Sequence, residues 1–92
     1  MRTKNPKNVY IDSDMTFEDV GIYIKKLRKE EKMTREELAK KADTTARTIY
    51  NIENGVYVPR IPVLARVARA LDMNILELYG ASRMYYESLA TS

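Results

Sequence analysis

Cysteine, histidine and tryptophan are all absent from this 92-residue chain. Without cysteine, neither a disulfide nor a thiolate metal site can hold the fold together. Without histidine, the commonest general base and the commonest metal ligand are missing too. Glycine and proline each occur three times, and no Gly-rich phosphate loop is present. Alternation of β-branched with polar residues is scarce, so the chain reads as helices rather than strands. No apolar run is long enough to span a bilayer, and the polar amino-terminal stretch MRTKNPKN lacks a signal-peptide pattern. A cytoplasmic protein without a membrane partner is the expectation. Ser13, Ser82, Ser88 and Ser92 have no recognisable base partner, and no pair of acids stands in a catalytic frame. The chain is therefore not expected to be an enzyme, and no catalytic residue, metal ligand or cofactor is assigned.

The net charge is +3 and the sequence pI about 9.2. That total is too mild to establish a nucleic-acid partner, so placement matters more. From Lys25 to Arg47 nine basic residues stand against five acidic ones, a surplus of four. Solvated helix faces are the ordinary explanation of such a run. For Lys25, Lys29, Lys40 and Lys41 the alternative is a side turned toward phosphate.

The apolar residues are spaced as in short helices. Thr16-Phe17-Glu18-Asp19 resembles a capping box, and Phe17, Val20, Gly21, Ile24 and Leu27 then recur at steps of three and four. This first helix is expected to fray near Lys32. Thr34-Arg35-Glu36-Glu37 is a fuller capping box opening a second helix, with Leu38, Ala39 and Ala42 on one face. Thr45 can cap a third, which stops at Asn54-Gly55 because glycine accepts a left-handed conformation. A loop through Pro59 and Arg60 leads to a fourth helix with Pro62 in its first turn, where the missing N–H does no harm. Asn74-Ile75-Leu76-Glu77 opens a fifth, expected to end at Gly80. The expected core is Phe17, Val20, Ile24, Leu27, Leu38, Ala42, Ile49, Ile52, Leu64, Val67, Leu71, Ile75 and Leu78. That suffices for one compact all-α domain over residues 16–80. Residues 1–15 form an amino-terminal arm, polar except for Val9, Tyr10 and Ile11. Residues 81–92 form a carboxy-terminal extension, with Met84, Tyr85, Tyr86 and Leu89 able to share one side of a sixth helix. That cluster suits packing or a dimer contact better than a ligand site.

The stretch TTARTIYNIENG, residues 44–55, carries the functional signal. Ile49 and Ile52 are its only large aliphatic side chains, and Ala46, Arg47, Tyr50 and Asn51 fall outside their stripe. Two short helices separated by a turn of about three residues, the second capped by threonine, form a helix-turn-helix. In that motif the second helix enters the major groove and its first residues reach base edges. The isoleucines would hold the helix on the core while Ala46, Arg47, Tyr50 and Asn51 face the bases. Arg47 can read a base or stand in solvent. Asn51 has the geometry for a bidentate adenine contact, and can equally stand idle or bond a phosphate. Tyr50 can touch a thymine methyl or the backbone, or pack on the helix surface.

The sequence also resembles the Cro/cI-like repressor domains, the xenobiotic-response-element-like regulators, over residues 17–79. The likeness rests on Gly21, Ile24, Leu27 and Arg28; on Met33-Thr34, Glu36-Glu37-Leu38-Ala39 and Ala42; on Thr48-Ile49 and Ile52-Glu53-Asn54-Gly55; on Pro59; on Leu64, Val67-Ala68 and Ala70-Leu71; and on Leu76-Glu77-Leu78-Tyr79. Each piece alone is weak, but their order and spacing together are specific. The resemblance implies a five-helix lambda-repressor-like fold. It also implies a homodimer bound to double-stranded DNA at a two-fold symmetric operator, and so a sequence-specific transcription regulator, most naturally a repressor. By the same resemblance, Ala46, Arg47 and Asn51 match base-reading positions, and Thr44-Thr45 matches a stretch whose hydroxyls touch the DNA backbone. Arg35 replaces a frequent Gln at the start of the second helix, where it suits a phosphate or a guanine edge. Arg60 follows Pro59 in a loop that offers an arginine to the backbone or minor groove. Arg28 and Glu53 match a buried ion pair. Three departures stand out: Asp43 where glycine is usual, Thr44 where an apolar plug is usual, and Arg60 where Ser or Asn caps the fourth helix. Asp43 and the modest net charge motivate a rival expectation, a protein-interaction module such as an antitoxin or adaptor with a protein partner and weak DNA binding.

Overall fold

The computed structural model describes residues 17–57 and 59–91. Five helices follow one another: α1 (Phe17–Glu30), α2 (Arg35–Lys41), α3 (Ala46–Glu53), α4 (Ile61–Ala70) and α5 (Ile75–Thr91). The cap expected at Thr16 and the whole amino-terminal arm lie outside the described residues.

Three starts follow from local hydrogen bonding. Thr34 Oγ1 accepts from the Glu37 N–H at 3.0 Å while Glu37 Oε1 accepts from the Thr34 N–H at 2.8 Å. Asn74 and Glu77 repeat this reciprocal box at the start of α5, at 2.8 and 2.9 Å. Thr45 Oγ1 accepts from the Thr48 N–H at 3.1 Å and opens α3. Each such cap is worth roughly 1 kcal/mol. In α4 Pro62 sits in the first turn as expected, and Arg60 at the cap position makes no side-chain cap bond.

The helix ends share one device. Two residues beyond the last residue of α1, α2, α3 and α4 stand Lys32, Asp43, Gly55 and Asp72, with φ of 57°, 54°, 64° and 62°. The next N–H, of Met33, Thr44, Val56 and Met73, reaches back to the carbonyls of Arg28, Ala39, Asn51 and Ala68 at 2.9–3.0 Å. This is the Schellman closure, usually made with glycine. Here only one of the four closing residues is glycine. Rather than fraying near Lys32, α1 is closed there. Met33 and Met73, just beyond two of these closures, pack against the core.

The principal helix contacts form a ring: α1 on α3, α3 on α2, α2 on α4, α4 on α5 and α5 back on α1. Val20, Ile24, Leu38, Ile49, Ile52, Leu64, Val67 and Leu78 are fully or almost fully buried inside it. Each such aliphatic side chain contributes about 1.5–3 kcal/mol of transfer free energy. Of the expected core, Leu27 and Ile75 are only partly buried, and the Phe17 side chain lies outside the described residues. Ala39, Ala68 and Tyr79 join the core instead. α1 meets α3 at Gly21, where a Cβ would lie 2.0 Å from the Ile52 carbonyl oxygen.

The expected stop at Gly80 does not occur. α5 runs through that glycine to Thr91, so there is no separate sixth helix among the described residues. The buried stripe explains this: Leu78 and Ser82 are both fully buried, and the Ser82 hydroxyl donates to the Leu78 carbonyl at 2.6 Å. Tyr85 continues the stripe and meets Tyr23 of α1 with ring centroids 5.6 Å apart. Lys26 lies over both rings, and its hydrogen bond with Glu30 raises its ammonium pKa above the ordinary value. Met84, Tyr86 and Leu89 stay exposed while the Tyr85 ring meets Tyr23 of α1, so the expected apolar cluster does not all face one way.

Candidate nucleic-acid interface

α3 has eight residues, too few to hold a helix in isolation. Its order comes from both ends and from below. Thr45 caps it, the Tyr50 carbonyl accepts from the Asn54 backbone N–H and side-chain amide, and Ile49 and Ile52 are 0% and 1% exposed. The opposite side carries exposed Arg47 and Tyr50 and half-buried Ala46 and Asn51. The four residues assigned outward from the sequence therefore share one side, though Ala46 and Asn51 are less open than expected. The turn before α3 is made by Asp43 in its left-handed conformation and by Thr44, whose N–H bonds the Ala39 carbonyl. Arg66 of α4 braces the same turn, its Nε donating to the Ala42 carbonyl at 3.0 Å. No local pattern marks Arg66 for this role, because the contact is between distant helices.

Beneath α3 lies a buried carboxylate held by two arginines. Glu53 Oε2 accepts from Arg28 Nε at 2.6 Å, and Oε1 accepts from Arg28 Nη2 at 3.1 Å. Arg28 Nη1 also donates to the Met33 carbonyl at 2.8 Å. Arg28 thus ties α1 to both the end of α3 and the α1–α2 turn. The second arginine is Arg35, whose Nε donates to Glu53 Oε1 at 3.1 Å. Its guanidinium lies over the Tyr50 ring at 5.1 Å, within cation–π range. Arg35 is thus anchored within the protein as well as placed at the helix start. One donor and one face are engaged by the protein.

These groups border an open cleft of about 530 Å³ between α2 and α3, lined by Arg28, Thr34, Arg35, Glu36, Ala46, Arg47 and Tyr50. Three arginines against one glutamate make this lining basic. Arg47 is at its edge, exposed and without a protein partner among the described residues. Arg60 is exposed ahead of α4, and Thr44 is half-buried in the turn; neither lines the cleft. The Thr45 hydroxyl is occupied by the cap and by the Thr48 hydroxyl at 3.0 Å. Among the described residues, no group of His, Cys, Asp and Glu could hold a metal ion, and no helix is long and apolar enough to cross a membrane.

Comparison with known proteins agrees with this geometry. A helix-turn-helix family model of the Cro/cI type matches residues 24–78, more than half of the chain. An immunity repressor protein of Bacillus phage phi105 is 35% identical over 71 residues, covering 77% of this chain and 49% of the repressor. The chain thus spans about half the length of that relative. An uncharacterized HTH-type transcriptional regulator of Methanothermobacter thermautotrophicus is 41% identical over 54 residues, 59% of this chain and 78% of the relative. Among solved structures, a mutant of the restriction-modification controller protein C.Esp1396I superposes with a TM-score of 0.70 at 25% identity, covering 78% of this chain and 94% of that one. The SinR protein/SinI protein complex gives 0.63 at 28% identity, over 78% and 75%. The fold is accordingly the lambda-repressor-like five-helix domain, and its relatives are transcription regulators rather than enzymes. On the matched residues and the helix pair that they build, the chain belongs to the Cro/cI-type helix-turn-helix family.

Proposed function

We propose that this chain is a sequence-specific DNA-binding transcription regulator of the cytoplasm, a repressor that acts as a homodimer on a two-fold symmetric operator. The observation that carries this is α3: it is pinned by Ile49 and Ile52, capped by Thr45, and presents Arg47, Tyr50, Ala46 and Asn51 on its open side. In the major groove, Arg47 would meet a guanine edge and Asn51 an adenine or a phosphate. Arg35, Thr44, Thr45 and Arg60 would meet the sugar-phosphate backbone, which fixes register without reading sequence. Two copies would place their α3 helices about 34 Å apart, one helical turn of DNA. Occupancy over a promoter would then exclude polymerase. Exposed Leu76, Met84, Tyr86 and Leu89 on α5 offer apolar surface for the dimer contact.

Selection from a random duplex library, followed by anisotropy titration at two salt concentrations, tests this function. A palindromic consensus bound with steep salt dependence is expected, because phosphate contacts release counterions. Weak, unselective binding would instead favour a protein-interaction module. The same exposed α5 side chains, and Asp43 in the turn ahead of α3, support that second reading.

A further inference from the structure

Tyr50 and Arg35 lie on different helices, yet the ring of one is the floor for the guanidinium of the other. On the inner side, Arg35 Nε is bound to the Glu53 carboxylate, whose own position is fixed by two bonds from Arg28. The Glu53 side chain is 0% exposed, whereas that of Arg35 is 33% exposed. Among the described residues neither terminal nitrogen of Arg35 has a protein partner, and both belong to a side chain lining the cleft between α2 and α3. A long, ordinarily mobile side chain is thus held on one edge and one face, with its far end available.

We propose that Tyr50 is a positioning residue. With Glu53 it fixes the Arg35 guanidinium so that its two terminal nitrogens grip the oxygens of one DNA phosphate, and Tyr50 itself reads no base. This rests on the DNA-binding function proposed above and assigns the work within it. Three features favour phosphate. Arg35 belongs to the first helix of the pair, which crosses the backbone while the second fills the groove. Its Nε is already engaged, which leaves an end-on donor pair matched to two phosphate oxygens. The aromatic face holds the planar fork in place, so less freedom is lost on binding. Glu53 then has two duties: it joins α1 to α3, and it ties the phosphate grip to that joint.

The test uses the whole chain with poly(dA–dT) and poly(dG–dC) duplexes at about 50 and 200 mM salt, the range over which phosphate contacts dominate affinity. Arg35→Ala should weaken binding to both duplexes alike, by about tenfold, and lower the salt slope by about one. Tyr50→Ala should weaken both by about fivefold, from loss of the cation–π support, while Tyr50→Phe keeps the ring and the affinity. The double variant Arg35→Ala/Tyr50→Ala should be no weaker than Arg35→Ala alone, because one residue acts through the other. In the free protein, the Arg35 Nε–H resonance should carry a ring-current shift that Tyr50→Ala abolishes and Tyr50→Phe keeps. Additive losses in the double variant, a loss confined to one duplex, or an Arg35 resonance indifferent to Tyr50→Ala would overturn the proposal. Wild-type protein that shows no salt-sensitive binding to either duplex would overturn the DNA-binding function itself, and the phosphate grip with it.

Discussion

Gly21 on α1 and Ile52 on α3 stand so close that a Cβ on the glycine would fall 2.0 Å from the Ile52 carbonyl oxygen. The obstacle is backbone, so no rotamer change relieves it. Gly21→Ala should therefore cost about 1–3 kcal/mol or more, the usual range for overpacking, despite alanine's better helix propensity. Urea denaturation measures this, and a neutral or stabilising outcome would show that α1 and α3 can separate without loss.

Glu53 is the shared acceptor of Arg28 and Arg35. Its removal leaves Arg28 buried with a positive charge and no carboxylate. Glu53→Ala should cost about 3–5 kcal/mol in chemical denaturation. A change below about 1 kcal/mol would mean that solvent reaches Arg28 readily.

Asp43 and Lys32 occupy left-handed positions that glycine normally fills. The strain of about 1–2 kcal/mol is only partly offset by the greater freedom of glycine in the unfolded chain, so Asp43→Gly and Lys32→Gly should each stabilise by about 0.5–1 kcal/mol. The gain should be larger at Lys32, because aspartate tolerates this conformation better than lysine. Thermal melts of the two variants compare them directly, and the opposite ranking would refute the strain argument.

Arg47 is exposed and bound to nothing in the described protein, so its loss should leave stability within about 0.5 kcal/mol. Arg47→Ala should instead lower discrimination at one operator base pair by about 1–3 kcal/mol. Competition titrations with single-base operator variants read this out. Full discrimination by the variant would remove Arg47 from the reading face.

Tyr79 is buried, and that burial raises its phenol pKa above the ordinary 10.0. The native state therefore keeps its proton at pH values where the unfolded chain has already lost it. Tyr79's contribution is fully present below pH 10.0 and declines as pH rises through the native pKa. Stability measured from neutral pH upward should thus fall more steeply for the wild type than for Tyr79→Phe. Parallel curves would show that the phenol ionises equally in both states.

Much of this architecture was legible because it is local. The caps at Thr34 and Thr45, the start of α5 at Asn74, and the place of Pro62 each depend on residues within a single turn. Ile49 and Ile52 announce their burial by spacing alone. Gly80 misled because a glycine near a helix end resembles a stop, whereas the stripe from Leu78 through Ser82 to Tyr85 keeps α5 on the core. The part of the site that escaped is non-local. Nothing near Arg35 in sequence announces Tyr50 or Glu53 as its neighbours, since the tertiary packing of α2 on α3 brings them together.

The shortness of α3 has a consequence for recognition. Eight residues cannot remain helical once Ile49 and Ile52 leave their seats. Spatial accuracy at the reading face is therefore borrowed from the core, not stored in the helix. Damage far from Arg47, at Leu38 or Leu64 for example, should blur the distinction between operator and other DNA before the molecule loses its overall shape. Sequence discrimination in this chain is a collective property of the packed interior, expressed through a few side chains at its edge.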